Sequence, residues 1–85
     1  MDKMTNLEKY NSILKRDLRA EDKDLNDDVL VYLNFKHWES VAHMDMVSDL
    51  EEAFGVTFET LDITSFDRYS AGIRILEKLG VDMSR

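Results

Sequence analysis

The chain has 85 residues, enough for one modest hydrophobic core and not for two. Eighteen Asp and Glu against eleven Lys and Arg give a formal charge of −7, which repels nucleic-acid phosphate and argues for partners that carry basic patches. With no cysteine there is neither a disulfide framework nor a thiolate metal site. No apolar run approaches the ~20 residues of a membrane span, and MDKMTNLEKY lacks the apolar stretch of a signal peptide. A soluble, cytoplasmic, monomeric domain with no membrane insertion and no nucleic-acid partner is expected. Hydrophobic content of 44%, no proline and only three glycines favour helices.

Thr5 with Glu8 three residues on has the pattern of a capping box, and Leu7, Tyr10, Leu14 and Leu18 then recur at helical spacing. Ile13 widens this stripe, and Lys9, Lys15, Arg16 and Asp17 occupy the other face of a helix that should end near Arg19. Between Ala20 and His37 the composition is first acidic, then VLVYLNF, which local propensity reads as a strand. A lone strand has no partner for its backbone groups, so a long loop with a helical turn is expected, with Val29, Leu30 and Leu33 over the core.

The helical pattern returns from Ser40 to Phe54, with Glu39 placed to cap it or to complement its dipole. His43, Met46, Val47, Leu50 and Phe54 form the inward stripe; Val41, Met44, Asp45, Ser48, Glu51 and Glu52 fall outward. Gly55 is the expected left-handed C-cap, and Phe58, Leu61 and Ile63 suggest one short helical turn. Thr64 or Ser65 should cap a last helix carrying Phe66, Tyr69, Ile73, Leu76 and Leu79, closed by Gly80. The fold class expected is all-α: a small bundle of three longer helices and one short helix, with a long loop between the first and second, in a single domain over residues 1–85.

HWESVAH brings His37, Glu39, Ser40 and His43 within seven residues, but no Gly-rich sharp turn supplies oxyanion donors, and His43 belongs to the inward stripe. A hydrolase is not expected. Asp22, Asp24 and Asn26 imitate the start of a calcium loop, yet Asp27 stands in the turn glycine's place and Leu33 in that of the bidentate Glu. His43 and Asp45 lack a second ligand pair, so no metal is expected. Ser40, taken alone, reads as an N-cap.

Its surroundings point further. Residues 38–58, WESVAHMDMVSDLEEAFGVTF, are similar to the signature of acyl carrier proteins: an acidic residue, the modified serine, an aliphatic residue, then an acidic helix closing on an aromatic and a glycine. Trp38 and His43 match a common variant, LEEAFGV is close to the usual helix end, and weaker similarity runs from Leu7 to Leu79. Glu39 stands where aspartate is usual and Val41 where leucine is usual.

The resemblance implies a non-enzymatic carrier whose Ser40 bears covalent 4′-phosphopantetheine, with acyl groups held as thioesters at the tip of that arm. It also implies that Glu39, Val41, Met44, Asp45, Glu51 and Glu52 face a phosphopantetheinyl transferase and acyl-transferring or synthase enzymes with basic docking patches. Ser48 lies on the same outward side by periodicity. Fatty acid, polyketide or a related pathway would be the setting. A D-alanyl or peptidyl carrier, and an acidic interaction module without prosthetic group, are the alternatives. Helix-start amides and the dipole should receive the phosphodiester's charge. The unbranched or adaptable side chains Met46, Val47, Leu50, Phe54, Ile73 and Leu76 should let an acyl chain slip between helices.

Overall fold

The structure, a computed structural model, describes residues 4–84. It is a small all-α domain: α1 (Asn6–Leu18), α2 (Ser40–Phe54), the short α3 (Thr60–Ser65) and α4 (Tyr69–Lys78), with a 3-10 turn at Asp22–Asp24 and no strand among the described residues. No helix there is long and apolar enough to cross a membrane.

α1 begins where the capping box places it. The Glu8 amide donates to Thr5 Oγ1 at 3.1 Å, and the Thr5 amide donates to Glu8 Oε1 at 2.9 Å. Arg19 ends the helix in the left-handed region, φ 55°, its amide donating to Lys15 O. Tyr10, Leu14 and Leu18 are fully buried, as their spacing requires. Asp17 departs from the outward face assigned to it: its side chain is 12% exposed and turned to α2, because Arg16 bridges it (3.3 Å) to Asp49 (3.0 Å).

The connection from 19 to 39 is irregular, as expected, yet closely held. Its VLVYLNF segment makes one isolated bridge, Val31 with Arg68, flanked by Tyr32 N–H to Asp67 O at 2.9 Å and Tyr69 N–H to Leu30 O at 3.1 Å. These bonds answer the backbone groups a lone strand would leave unpaired. Leu30 is fully buried, but the expectation for its neighbours fails: Val29 is 37% and Leu33 69% exposed. Leu33 lies at φ 65°, with its amide donating to Trp38 O, and this left-handed turn throws its side chain outward. The Cα radius of gyration, 11.8 Å, matches the ~12 Å of a packed chain of this length, so the connection lies on the bundle instead of extending from it.

The end of the chain differs in one respect from the sequence expectation. Thr64 and Ser65 do not cap the last helix; they close α3, where their hydroxyls donate to Leu61 O and Asp62 O. Phe66 follows as the C-cap residue of α3 and is 1% exposed, while Arg68 occupies the N-cap position of α4 without a side-chain bond. The cap comes instead from Asp27, whose two carboxylate oxygens accept from the Ser70 amide (2.8 Å) and hydroxyl (2.7 Å). These Ser70 bonds hold the Asp27 carboxyl below its ordinary pKa. Asp62 of α3 is buried, yet its charge is answered by Lys78 of α4 and by the Glu59 amide, and the same partners lower its pKa.

The core is more aromatic than the aliphatic stripes imply. Tyr10, Trp38, Phe58 and Phe66 are at most 5% exposed. Phe66 lies edge-on to Trp38 at 5.7 Å and to His43 at 5.8 Å, and stacks near Phe58 and Tyr10 at 6.3 and 6.5 Å. Phe54 and Ile73, expected inside, are half-buried at its margin.

Candidate functional site

Ser40 is the first residue of α2 and is exposed at the junction with the long connection. The N-cap is Glu39, whose Oε1 accepts from the amides of Val41 at 2.6 Å and Ala42 at 3.2 Å. Ser40 therefore does not cap the helix, and the reading that its type alone suggested does not hold. Its hydroxyl has one near neighbour, the Tyr32 hydroxyl at 3.2 Å. Tyr32 is a member of this site that the sequence pattern did not single out. It sits in an irregular segment, where no period says which way a side chain faces.

His43 is committed elsewhere. The Trp38 indole N–H donates to Nδ1 at 2.9 Å, and Nε2 faces Ile63 O at 2.9 Å, which is the neutral tautomer carrying its proton on Nε2. Both ring nitrogens thus tie the end of the connection and α3 to α2, and neither is directed at Ser40. The four polar residues of HWESVAH do not assemble a nucleophile and its base. Among the described residues no group of three or more His, Cys, Asp or Glu is placed to hold a metal ion. The calcium-like residues serve local structure: Asp22 pairs with Lys15 at 2.8 Å, Asp24 accepts from the Glu21 amide, and Asn26 Oδ1 accepts from the amides of Asp28 and Val29.

The outward side of α2 presents what its periodicity places there, with one correction. Val41 is 68% and Met44 48% exposed, and Asp45, Ser48 and Glu52 are exposed beside them. Glu51 is half-buried, because its Oε2 accepts from the Phe58 amide at 2.7 Å and so fixes the connection between α2 and α3. Two cavities are lined by neighbours of Ser40. One, about 200 Å³, is lined by Tyr32, His43, Ile63, Thr64 and Phe66. The other, about 320 Å³, lies between the end of α1, the end of the connection and the first turn of α2.

An exposed hydroxyl released from capping can carry a large substituent without disturbing the helix, so the residues present fit a group such as 4′-phosphopantetheine. The expected amide cradle for its phosphate is only partly there, since Glu39 already occupies the Val41 and Ala42 amides.

The geometry defines a small helical domain with an exposed serine and an acidic helix face. No family model, no curated protein and no solved structure matches the chain.

Proposed function

We propose that the chain is a carrier protein: Ser40 is the attachment point of 4′-phosphopantetheine, and the outward face of α2 docks the enzymes that load and unload it. When bound, that group supplies a terminal thiol on which acyl groups travel as thioesters. Everything else falls to the chain's own residues. Glu39 caps α2 and leaves the Ser40 hydroxyl without a capping duty; its hydrogen-bond partner is the Tyr32 hydroxyl and not a histidine or carboxylate, so a partner enzyme must take its proton during attachment. Val41 and Met44 give that partner apolar contacts beside the serine, and Asp45 and Glu52 give it a charge pattern that favours fast association and orientation. The observation that carries this reading is that the serine at the start of the acidic helix is exposed and has no capping duty. Fatty-acid, polyketide or related acyl transfer is the setting we favour.

Incubation with coenzyme A and a broad-specificity phosphopantetheinyl transferase should add one phosphopantetheine, read by intact mass. Ser40→Ala should abolish the addition while helical circular dichroism stays within a few per cent. Absence of modification with several transferases, or label on Ser48, Ser65 or Ser70, would refute the proposal and favour an acidic interaction module. With the site established, loading by amino-acid-activating or acyl-activating enzymes separates aminoacyl from acyl carriers.

Docking has its own test. Asp45→Lys with Glu52→Lys should slow modification about tenfold at low salt, because steering by exposed charge commonly changes association rates by at least that much. Glu51 is left intact so that the Phe58 amide keeps its acceptor. Added salt should slow the wild type and leave the variant nearly unchanged, since exposed charges are screened beyond ~10 Å at 0.1 M. Equal rates for both proteins at every salt concentration would place docking on another surface.

A further inference from the structure

The end of α1 meets α2 across two carboxylates. Asp17 is the penultimate residue of α1, with its side chain only 12% exposed, and Asp49 reaches toward it from α2. Arg16 spans the pair: its Nε–H donates to Asp17 Oδ1 at 3.3 Å and its Nη2–H to Asp49 Oδ2 at 3.0 Å. The second Asp17 oxygen, Oδ2, is buried and has no hydrogen-bond partner, the one side-chain atom among the described residues left in that state. An ionised carboxylate held so gives up its hydration there and receives nothing in return.

A proton removes the difficulty. The two carboxyls lie within hydrogen-bond reach of each other, yet two carboxylates have no hydrogen to share. With a proton on Oδ2, Asp17 becomes the donor to Asp49, and one guanidinium then answers one negative charge. Solvent decides which residue holds the proton: Asp17 is enclosed, whereas the Asp49 side chain is 35% exposed and has Arg16 at the shorter distance. Burial first, then the bond to Asp49, raises the Asp17 pKa to about 6, and the same bond lowers that of Asp49. Other charges stand nearby. Arg19, Lys36, His37 and Glu39 line the cleft of about 320 Å³ that Asp17 also lines, as does Asp45 of α2, but the ion pair of Asp17 is with Arg16.

We propose that Asp17 and Asp49 form a proton-operated clasp, in which one shared proton held on Asp17 ties the end of α1 to α2 and its loss loosens that helix pair. The proton leaves to solvent, and Asp17 and Asp49 then face each other as like charges with Arg16 between them. The direction with pH follows from the linkage of proton binding to folding. A carboxyl whose folded pKa lies above the ordinary ~4 supports the fold fully below that ordinary value, and its support fades as pH rises through about 6. Asp27, Asp49 and Asp62 are all lowered, so their own pH dependence falls below ~4 and outside this window. The clasp does not depend on the carrier reading.

Asp17→Asn places a permanent amide donor opposite Asp49, and all other ionisable groups are common to the variant and the wild type. The two proteins should melt within ~2 °C of each other near pH ~4.5, and the variant ~5 °C or more above the wild type near pH ~8, because the raised pKa favours the neutral form roughly a hundredfold. The carbon-13 resonance of the Asp17 side-chain carboxyl reads the proton directly. Its midpoint should lie near 6 in the wild type, rise in Arg16→Gln, where the guanidinium no longer favours the anion, and fall in Asp49→Asn, where the new amide donates to Asp17. A wild-type midpoint in the ordinary carboxylate range, or one that Asp49→Asn leaves in place, overturns the clasp. So does an Asp17→Asn protein whose melting temperature follows that of the wild type at every pH.

Discussion

Gly72→Ala should destabilise the domain by about 3 kcal/mol, although in a helix interior the exchange would otherwise gain up to ~1 kcal/mol. Gly72 is buried in α4 against α1 and the residue that ends α3. A Cβ added there would overlap the Tyr10 hydroxyl and the edge of the Phe66 ring, lying 2.7 Å from Phe66 Cε1. Neither neighbour can yield easily. The Tyr10 hydroxyl donates to Tyr69 O at 2.5 Å, burial raises its pKa well above the ordinary value, and Phe66 sits among four aromatic rings. A domain of this size loses roughly 4–8 °C per kcal/mol, so the melting temperature should fall by more than 10 °C. Urea unfolding checks the magnitude. Gly55→Ala is the control: its Cβ would meet open space, and only the left-handed φ of 65° opposes it, so a loss near 1 kcal/mol is expected. A Gly72→Ala protein as stable as the wild type would mean that the aromatic cluster repacks freely.

That glycine shows where the sequence stops being informative. The helix ends declared by capping chemistry are where the pattern puts them: Thr5 with Glu8, Glu39 before Ser40, and Gly55 at left-handed φ. Each is a local signal, carried by a residue and its neighbours within four positions. The cap of α4 is not local, because Asp27 supplies it from 43 residues away, whereas the hydroxyls nearest in sequence, Thr64 and Ser65, close α3. Asp17 and Glu51 went astray for a related reason. Helical period gives the angle of a side chain, but Asp17 is drawn inward by a bridge through Arg16, and Glu51 by a free amide at Phe58.

Within the candidate site, the α2 members were legible and the connection's members were not. Ser40, Val41, Met44, Asp45 and Glu52 follow from a period of 3.6 and a motif. Tyr32 lies in a segment held by one isolated bridge and by turns, and its contact with the Ser40 hydroxyl follows from that tertiary arrangement. Nothing in the order of VLVYLNFKH encodes that.

Under the carrier reading, acyl groups attached through Ser40 should raise the melting temperature for the first few methylenes and then stop. The sequence, with Met46, Val47, Leu50 and Leu76 inside, implies a core that opens by modest repacking. The folded chain sets a limit: those four are at most 2% exposed, and Trp38 and Phe66, equally buried, add stiff rings to the same core. Parting these rings would also break the indole bond to His43 and the bond of His43 to Ile63 O, leaving buried polar groups unpaired at ~1–3 kcal/mol each. A methylene entering the core gains at most ~0.8 kcal/mol, so a short chain cannot drive that opening. The ready space is the cavity of about 200 Å³ lined by Tyr32, His43, Ile63, Thr64 and Phe66, whose Tyr32 hydroxyl lies 3.2 Å from that of Ser40. A short acyl chain covers Ile63 and the Phe66 edge there without disturbing the His43 bonds. Each methylene accommodated should therefore stabilise the fold by a fraction of that ~0.8 kcal/mol. Thermal melts of proteins loaded with two-, four-, six-, eight- and twelve-carbon acyl groups test this. A rise that levels off near six carbons supports a short-chain shelter. A flat series means the chain lies on the surface, and a rise continuing to twelve carbons means the Trp38–His43–Phe66 cluster opens after all.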